Sequence, residues 1–296
     1  MSYQTILYAT DGAIATITLN RPDQLNTIVP PMPDEVEDAV NAAVRDAAVK
    51  VIVLRGAGRA FCAGYNFGGG FRYGGEFLTD GNWDPGKDMM HTTAAATSPH
   101  QKFMSIWRSP KPVIAQVHGW CVGGGSDYAL CADIVIASED AQIGTPYSRV
   151  WGAYLSGMWI YRLGLTRAKY HALTGRPLSG REAADVGLIN RAVPFEELEA
   201  VVRAQADELA TLPMGQLAAQ KLVVNQAYEN MGLASTQTLG AILDGIMRNI
   251  PEAHAFIDRA AAEGVSSVVA DRDGPFGDYS QAPAAGKPDP GNVVEP

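Results

Sequence analysis

Apolar positions alternate through Ile14, Thr16, Ile17 and Leu19, and short β-branched runs follow at 51–54, 113–117 and 134–137. Runs of this length predict strands. A strand-like pattern already begins at Tyr3. Helical patterns lie between the runs, notably at 34–48, and strands separated by helices of that length predict a layered α/β fold with crossover connections. From about residue 195 the pattern becomes helical only, over 195–211, 213–228, 233–249 and 251–263. The change sets a boundary near residue 200, with an α/β core over 1–200, a helical unit over 201–272 and a tail over 273–296.

Two segments break the periodicity. Residues 64–86 hold eight glycines among Phe67, Phe71, Tyr73, Phe77 and Trp83, a composition suited to a mobile loop. The tail carries Pro275, Pro283, Pro288 and Pro290 and is expected to be disordered towards its end, with Phe276 and Tyr279 anchoring its start.

Charge narrows the partner. Lys+Arg 23 against Asp+Glu 32 gives a net charge of −9, which argues against nucleic acid and anionic membrane surfaces and for a small molecule. No run of about 18 apolar residues and no charged-then-apolar leader is present, so the expectation is a cytoplasmic protein. Cys62, Cys121 and Cys131 lie in apolar stretches without C-x-x-C spacing, as buried reduced thiols would. No Cys/His cluster suggests a metal, and no cofactor site is expected.

The chemistry concentrates in two loops. Ala60-Phe61-Cys62-Ala63-Gly64-Tyr65-Asn66 follows the 51–54 strand, and Gly119-Trp120-Cys121-Val122-Gly123-Gly124-Gly125-Ser126-Asp127 follows another strand and opens a helix. A triple glycine alone reads as close packing or a flexible turn, and neither loop has the Lys-Ser/Thr of a nucleotide-binding loop. Together, in this order, they resemble the signature loops of the crotonase (enoyl-CoA hydratase/isomerase) superfamily. Leu19-Asn20-Arg21-Pro22, Lys111-Pro112-Val113-Ile114-Ala115, Cys131-Ala132-Asp133 and Thr174-Gly175-Arg176 extend the resemblance over roughly residues 3–272.

That resemblance implies a spiral of ββα units followed by a C-terminal helical trimerisation domain, in a homotrimer or a dimer of trimers. It implies an acyl-CoA thioester substrate, with coenzyme A part of the substrate and not a separate cofactor, and a role in fatty acid metabolism. Two backbone N–H groups, those of Tyr65 and Gly124, would polarise the thioester carbonyl. An enolate or tetrahedral intermediate puts negative charge on that oxygen, and fixed donors stabilise it more than they stabilise the substrate. Arg21, Leu25, Phe61 and Ala63 are the positions implied for holding the coenzyme A portion. The family's C-terminal aromatic and lysine align with Val268 and Asp271, which leaves Arg272 as a phosphate partner or a solvated residue.

Hydratases of this family place one glutamate two residues after the second loop's last glycine and another after a Gly-x-Pro segment. This chain has Asp127 and Tyr147 there. Asp127 is expected either to handle protons or to make a structural pair, with Arg149 the candidate partner. Tyr147 is expected to be a neutral hydrogen-bond donor or an aromatic wall of the acyl pocket. The leading expectation is a hydratase-type lyase. Decarboxylation, isomerisation and noncatalytic acyl-CoA binding stand as alternatives. His91 and His100 could reach the acyl group from the glycine-rich side, and His118 could bond to the second loop's backbone.

Overall fold

In the computed structural model, which describes residues 3–66, 75–150 and 152–279, the strands among the described residues are β1 (Ile6–Asp11), β2 (Ile14–Leu19), β3 (Val51–Gly56), β4 (Leu78–Thr79), β5 (Asn82–Trp83), β6 (Val113–Val117), β7 (Trp120–Val122), β8 (Ile134–Ser138), β9 (Gln142–Gly144), β10 (Leu178–Ser179) and β11 (Arg191–Val193). The main sheet runs β1-β2-β3-β6-β8-β11. Only the β1–β2 hairpin is antiparallel; the other neighbours pair in parallel.

Period-two geometry explains why the parallel strands read as continuous apolar runs. Val51 and Val53 face one side with Ile14, Ile114, Ile136 and Val193. Ile52 and Leu54 face the other with Ala15, Ile17, Leu19, Ala115 and Val135. Helices cover this second face: α1 (Met32–Arg45) supplies Val36 and Val40, α2 (Pro85–Thr93) leads on to α3 (Pro99–Arg108) with Phe103, and α4 (Gly124–Leu130) adds Tyr128. α1 is shifted from the predicted 34–48. It starts earlier, and it stops at Arg45 because Asp46 is extended and its Oδ1 accepts the Ala48 N–H at 2.9 Å.

A smaller sheet, β10-β9-β7, forms a second layer, and an isolated bridge between Cys62 and Cys121 joins the first signature loop to it. The path β6-β7-α4, then β8-β9 into α5 (Met158–Leu163) and α6 (Leu165–Thr174), and β10 into α7 (Gly180–Asp185), is the expected ββα spiral.

Helices α8 (Phe195–Thr211), α9 (Met214–Asn230), α10 (Leu233–Met247), α11 (Pro251–Glu263) and α12 (Val265–Asp273) complete the described chain. Residue 200, the expected boundary, falls inside α8, and α8 closes the main sheet's first face with Leu198, Val202 and Ala206. The helices after α8 are therefore the ones that stand apart from that sheet face. Residues 67–74, within the segment expected to be mobile, lie outside the described residues. From Gly75 the segment is ordered into a 3-10 turn, the β4–β5 hairpin and α2. The far end of the tail, 280–296, also lies outside the described residues, whereas its start is held: Phe276 lies under the Arg149 guanidinium at 3.8 Å, and the Tyr279 hydroxyl donates to the Gly175 carbonyl at 2.9 Å. No described helix is long and apolar enough to cross a membrane, and all three cysteines are free and buried.

Candidate active site

Backbone bonds stitch the two signature loops together. Phe61 N–H donates to His118, Cys62 N–H to Trp120, and Val122 N–H back to Cys62, at 2.8, 2.9 and 3.0 Å. Gly64 then turns at φ +88°, where a Cβ would stand 2.8 Å from the Val122 carbonyl, so a side chain is excluded by both conformation and space. Ile28 forms a parallel bridge opposite Tyr65, its N–H donating to Gly64 and its carbonyl accepting from Asn66. In such a bridge the flanked residue's own N–H points away from its partner. The Tyr65 N–H is thus turned away from Ile28.

In the second loop, Gly123 at φ 55° ends β7 and begins α4. Its carbonyl accepts from the Ser126 N–H and hydroxyl at 2.9 and 2.7 Å, and Trp159 Nε1 donates to that hydroxyl at 2.9 Å. Gly124, the first helical residue, has no intrahelical acceptor for its N–H. Among the described residues neither the Tyr65 nor the Gly124 N–H donates to a backbone carbonyl. The two residues touch: a Cβ on Gly124 would meet the Tyr65 ring at 2.8 Å and Ile28 Cδ1 at 2.7 Å.

Asp127 lies on α4, 1% exposed. Ser156 donates to its Oδ1 from the hydroxyl at 2.6 Å and from the N–H at 3.2 Å, while Tyr147 Oη makes a long contact to Oδ2 at 3.5 Å. Burial pushes the carboxyl up to about 6 against the pull of these donors, and the nearby Asp244 charge adds to the rise. Burial, with Asp127 and Asp244 close by, keeps Tyr147 well above the ordinary phenol range, so its hydroxyl is a donor at neutral pH. Arg149 does not pair with Asp127. Its guanidinium bonds Asp273 and Asp278, with contacts of 3.1, 2.6 and 2.8 Å, because the ordered start of the tail brings both carboxylates to it.

Several site residues escaped the sequence reading. Ser156 is fully buried, and its carbonyl accepts from Gln237 Nε2 at 2.9 Å. Asp244 of α10 takes Arg248 Nε at 2.7 Å and the Ala153 N–H at 3.3 Å, and Arg248 Nη2 reaches Asp88 at 3.2 Å. Trp83 Nε1 donates to the other Asp88 oxygen at 2.8 Å. The available signal was the buried stripe of α10, Leu233, Gln237, Ala241 and Asp244, which puts a carboxylate on the apolar face with Arg248 one turn on.

The residues implied for coenzyme A divide. Leu25 and Ala63 are adjacent and half-buried, joined by an Ala63 N–H bond to the Leu25 carbonyl at 3.0 Å. The Arg21 guanidinium is committed to Thr27 and Gln24. The Phe61 ring is fully buried in the core, which withholds its side chain from any ligand. At the C-terminal positions, Val268 is buried, Asp271 pairs with Arg259 at 2.6 Å, and Arg272 is forked onto Asp273 at 2.9 and 2.6 Å.

The histidines stand aside. His91 packs edge-on against Phe77, at 4.5 Å between ring centres. His100 is buried against the Ser98 hydroxyl at 2.6 Å, and burial pushes it down to about 4. His118 bonds through Nε2 to the Gly58 carbonyl at 2.8 Å and through its own carbonyl to Phe61, which ties it to the first loop.

Comparison with known proteins bears on the family and the fold. A family profile described as "Enoyl-CoA hydratase/isomerase" matches residues 9–243. A "Probable enoyl-CoA hydratase" of Rhodobacter capsulatus is 34% identical over 78% of this chain and 84% of its own length. The "1,2-epoxyphenylacetyl-CoA isomerase" of Escherichia coli is 32% identical over 76% of this chain and 83% of its own. A crystal structure of an enoyl-CoA hydratase from Mycobacterium smegmatis superposes with a TM-score of 0.86 at 38% identity, covering 94% of this chain and 96% of that one. With the paired loops, the ββα spiral and these similarities in hand, the chain belongs to the enoyl-CoA hydratase/isomerase family.

Proposed function

We propose that the chain is an enoyl-CoA hydratase whose Tyr65 and Gly124 N–H groups hold the thioester oxygen while Asp127 moves the α-carbon proton. The observation that carries this reading is the geometry: a buried carboxyl in the first turn of the helix that Gly124 opens, with the Gly124 and Tyr65 N–H groups used by no described backbone carbonyl, and burial raises that carboxyl to about 6. Such a group is protonated often enough near neutral pH to donate to an enolate carbon and ionises readily enough to be reset. Tyr147, held neutral, donates towards Asp127 Oδ2 and steadies the charge that appears there.

The coenzyme A portion would lie along the Leu25 and Ala63 backbone, with Arg21 closing the turn behind it and Phe61 contributing only main chain. A cytoplasmic place in fatty acid metabolism, and a homotrimer, complete the proposal. The trimer is supported by α9, none of whose residues is buried, and by Leu222, Val223, Leu239 and Leu243, which are exposed. Light scattering of the purified protein reads the assembly directly.

The functional test is incubation with crotonyl-CoA and longer enoyl-CoAs, following loss of the conjugated chromophore. Turnover is expected. No turnover at any chain length, alongside tight acyl-CoA binding, overturns the hydratase reading. One observation favours an isomerase as the second reading: Tyr147 stands where the second hydratase carboxylate is expected, and moving a proton between two carbons needs one acid only. Formation of the shifted double bond without hydration would identify it.

A further inference from the structure

We propose that Asp244, from α10, is a further catalytic residue: the carboxylate that activates the water, taking the part that Tyr147 cannot play. The inference rests on the hydratase reading above. Hydration needs a base for the incoming water as well as an acid for the α-carbon. A phenol held neutral is no such base, and both oxygens of Asp127 are already engaged, Oδ1 by Ser156 and Oδ2 by Tyr147.

Asp244 meets the requirement by position. Gly152 forms the wall between it and Tyr147: a Cβ there would stand 2.8 Å from Tyr147 Cδ1 and 3.2 Å from Asp244 Oδ1, so the absent side chain is what lets the two line one surface. At φ +108° the backbone also excludes most other residues. Of the two carboxylate oxygens, Oδ2 is spent on Arg248, whereas Oδ1 accepts only the long Ala153 N–H bond at 3.3 Å among the described contacts. It retains capacity for a water proton. At 9% exposure the residue keeps a small accessible surface. Arg248 is in turn held by Asp88, and Asp88 by Trp83, so the carboxylate is fixed from behind by the β5 and α2 segment. The groups facing Asp244 are Arg248 and Asp88 behind it and Asp127, Tyr147 and Tyr65 in front.

The step balances. A water O–H bond breaks, its proton passing to Asp244 Oδ1, as the oxygen bonds to the β-carbon. The double-bond electrons move onto the thioester oxygen, held by the Tyr65 and Gly124 N–H groups. As the enolate collapses, protonated Asp127 gives its proton to the α-carbon. Asp244 then loses its proton and Asp127 regains one through solvent.

The test compares wild type with Asp244→Asn in three measurements: hydration of an enoyl-CoA, solvent deuterium exchange at the α-carbon of a saturated acyl-CoA, and thermal unfolding. Exchange needs the N–H pair and Asp127 but no activated water. The expected result is hydration slowed by about 100-fold or more, exchange close to wild type, and loss of the acidic limb of the hydration pH profile. Unchanged hydration, or equal losses of hydration and exchange, would overturn the assignment. If the asparagine variant fails to fold, Asp244→Glu keeps the charge beside Arg248 and displaces the carboxylate by about 1 Å. A drop of about tenfold or more in hydration with exchange retained then supports the role, and unchanged hydration overturns it. Absence of hydration in wild type sinks the hydratase reading and this inference together, whereas wild-type hydration with an indifferent Asp244 sinks the inference alone.

Discussion

The two halves of the site are built by opposite means. The half proposed to hold the oxyanion is main chain: Cys62 to Tyr65 and Cys121 to Gly124, short in sequence, locked by backbone bonds and by glycines that exclude side chains. The half proposed to handle protons is side chain: Asp127 from α4, Tyr147 from the turn after β9, Ser156 from the segment before α5 and Asp244 from α10. Short of proline, a substitution leaves a backbone donor in place and can only displace it, whereas a side chain can be deleted cleanly. Side-chain substitutions can therefore test the second half more directly than the first.

Substitutions can break this comparison, beginning with the largest expected effect. Asp127→Asn removes the proton carrier and leaves the N–H pair intact, so turnover should fall by about 10³–10⁴ with acyl-CoA affinity nearly unchanged, read by steady-state kinetics and calorimetry. Gly64→Ala should cost about 10²–10³ in kcat, since its Cβ would push the Val122 carbonyl and shift the Tyr65 N–H. Equal losses in affinity and kcat for Asp127→Asn would erase the division of labour.

Ser156→Ala is milder. It deletes one donor to Asp127 Oδ1, so the carboxyl should rise further and kcat should drop by roughly tenfold, with the basic shift visible in the pH profile. Stability supplies the opposite sign. Asp127 is raised in the folded state, so its contribution is full below its unfolded value of 3.8 and is lost as pH climbs through about 6. Asp127→Asn, which cannot ionise, should therefore unfold at a higher temperature than wild type at pH 8, by a margin that shrinks towards pH 5. The smallest effect is expected at the periphery: Tyr279→Phe loses one hydrogen bond, about 1 kcal/mol in chemical denaturation.

Legibility followed the same division. Strands β2, β3, β6 and β8 are long enough for period-two or continuous apolar patterns to register, and the first loop's Gly64 and the second loop's triple glycine are local signals. β7, β9, β10 and β11 span two or three residues, too few for any period, and they are defined by pairing with distant partners. The proton half was half-legible. Asp127 and Tyr147 follow from spacing, but the partners that tune them come from α10 and the loop before α5, and no local pattern encodes contacts between segments so far apart in sequence. Arg149 shows the cost of local reasoning. It looked like a partner for Asp127, and the tail claimed it.

The hold on that tail reaches further than its position suggests. A side chain on Gly144 would collide with the Tyr279 hydroxyl, and the Gly144 carbonyl accepts the Gly123 N–H at 2.8 Å, so Tyr279 backs the strand that braces the Gly123 turn. During synthesis, Gly124 leaves the ribosome long before Tyr279 does. A nascent chain therefore carries Tyr65, Gly124 and Gly144 well before it carries the Tyr279 ring that packs behind Gly144.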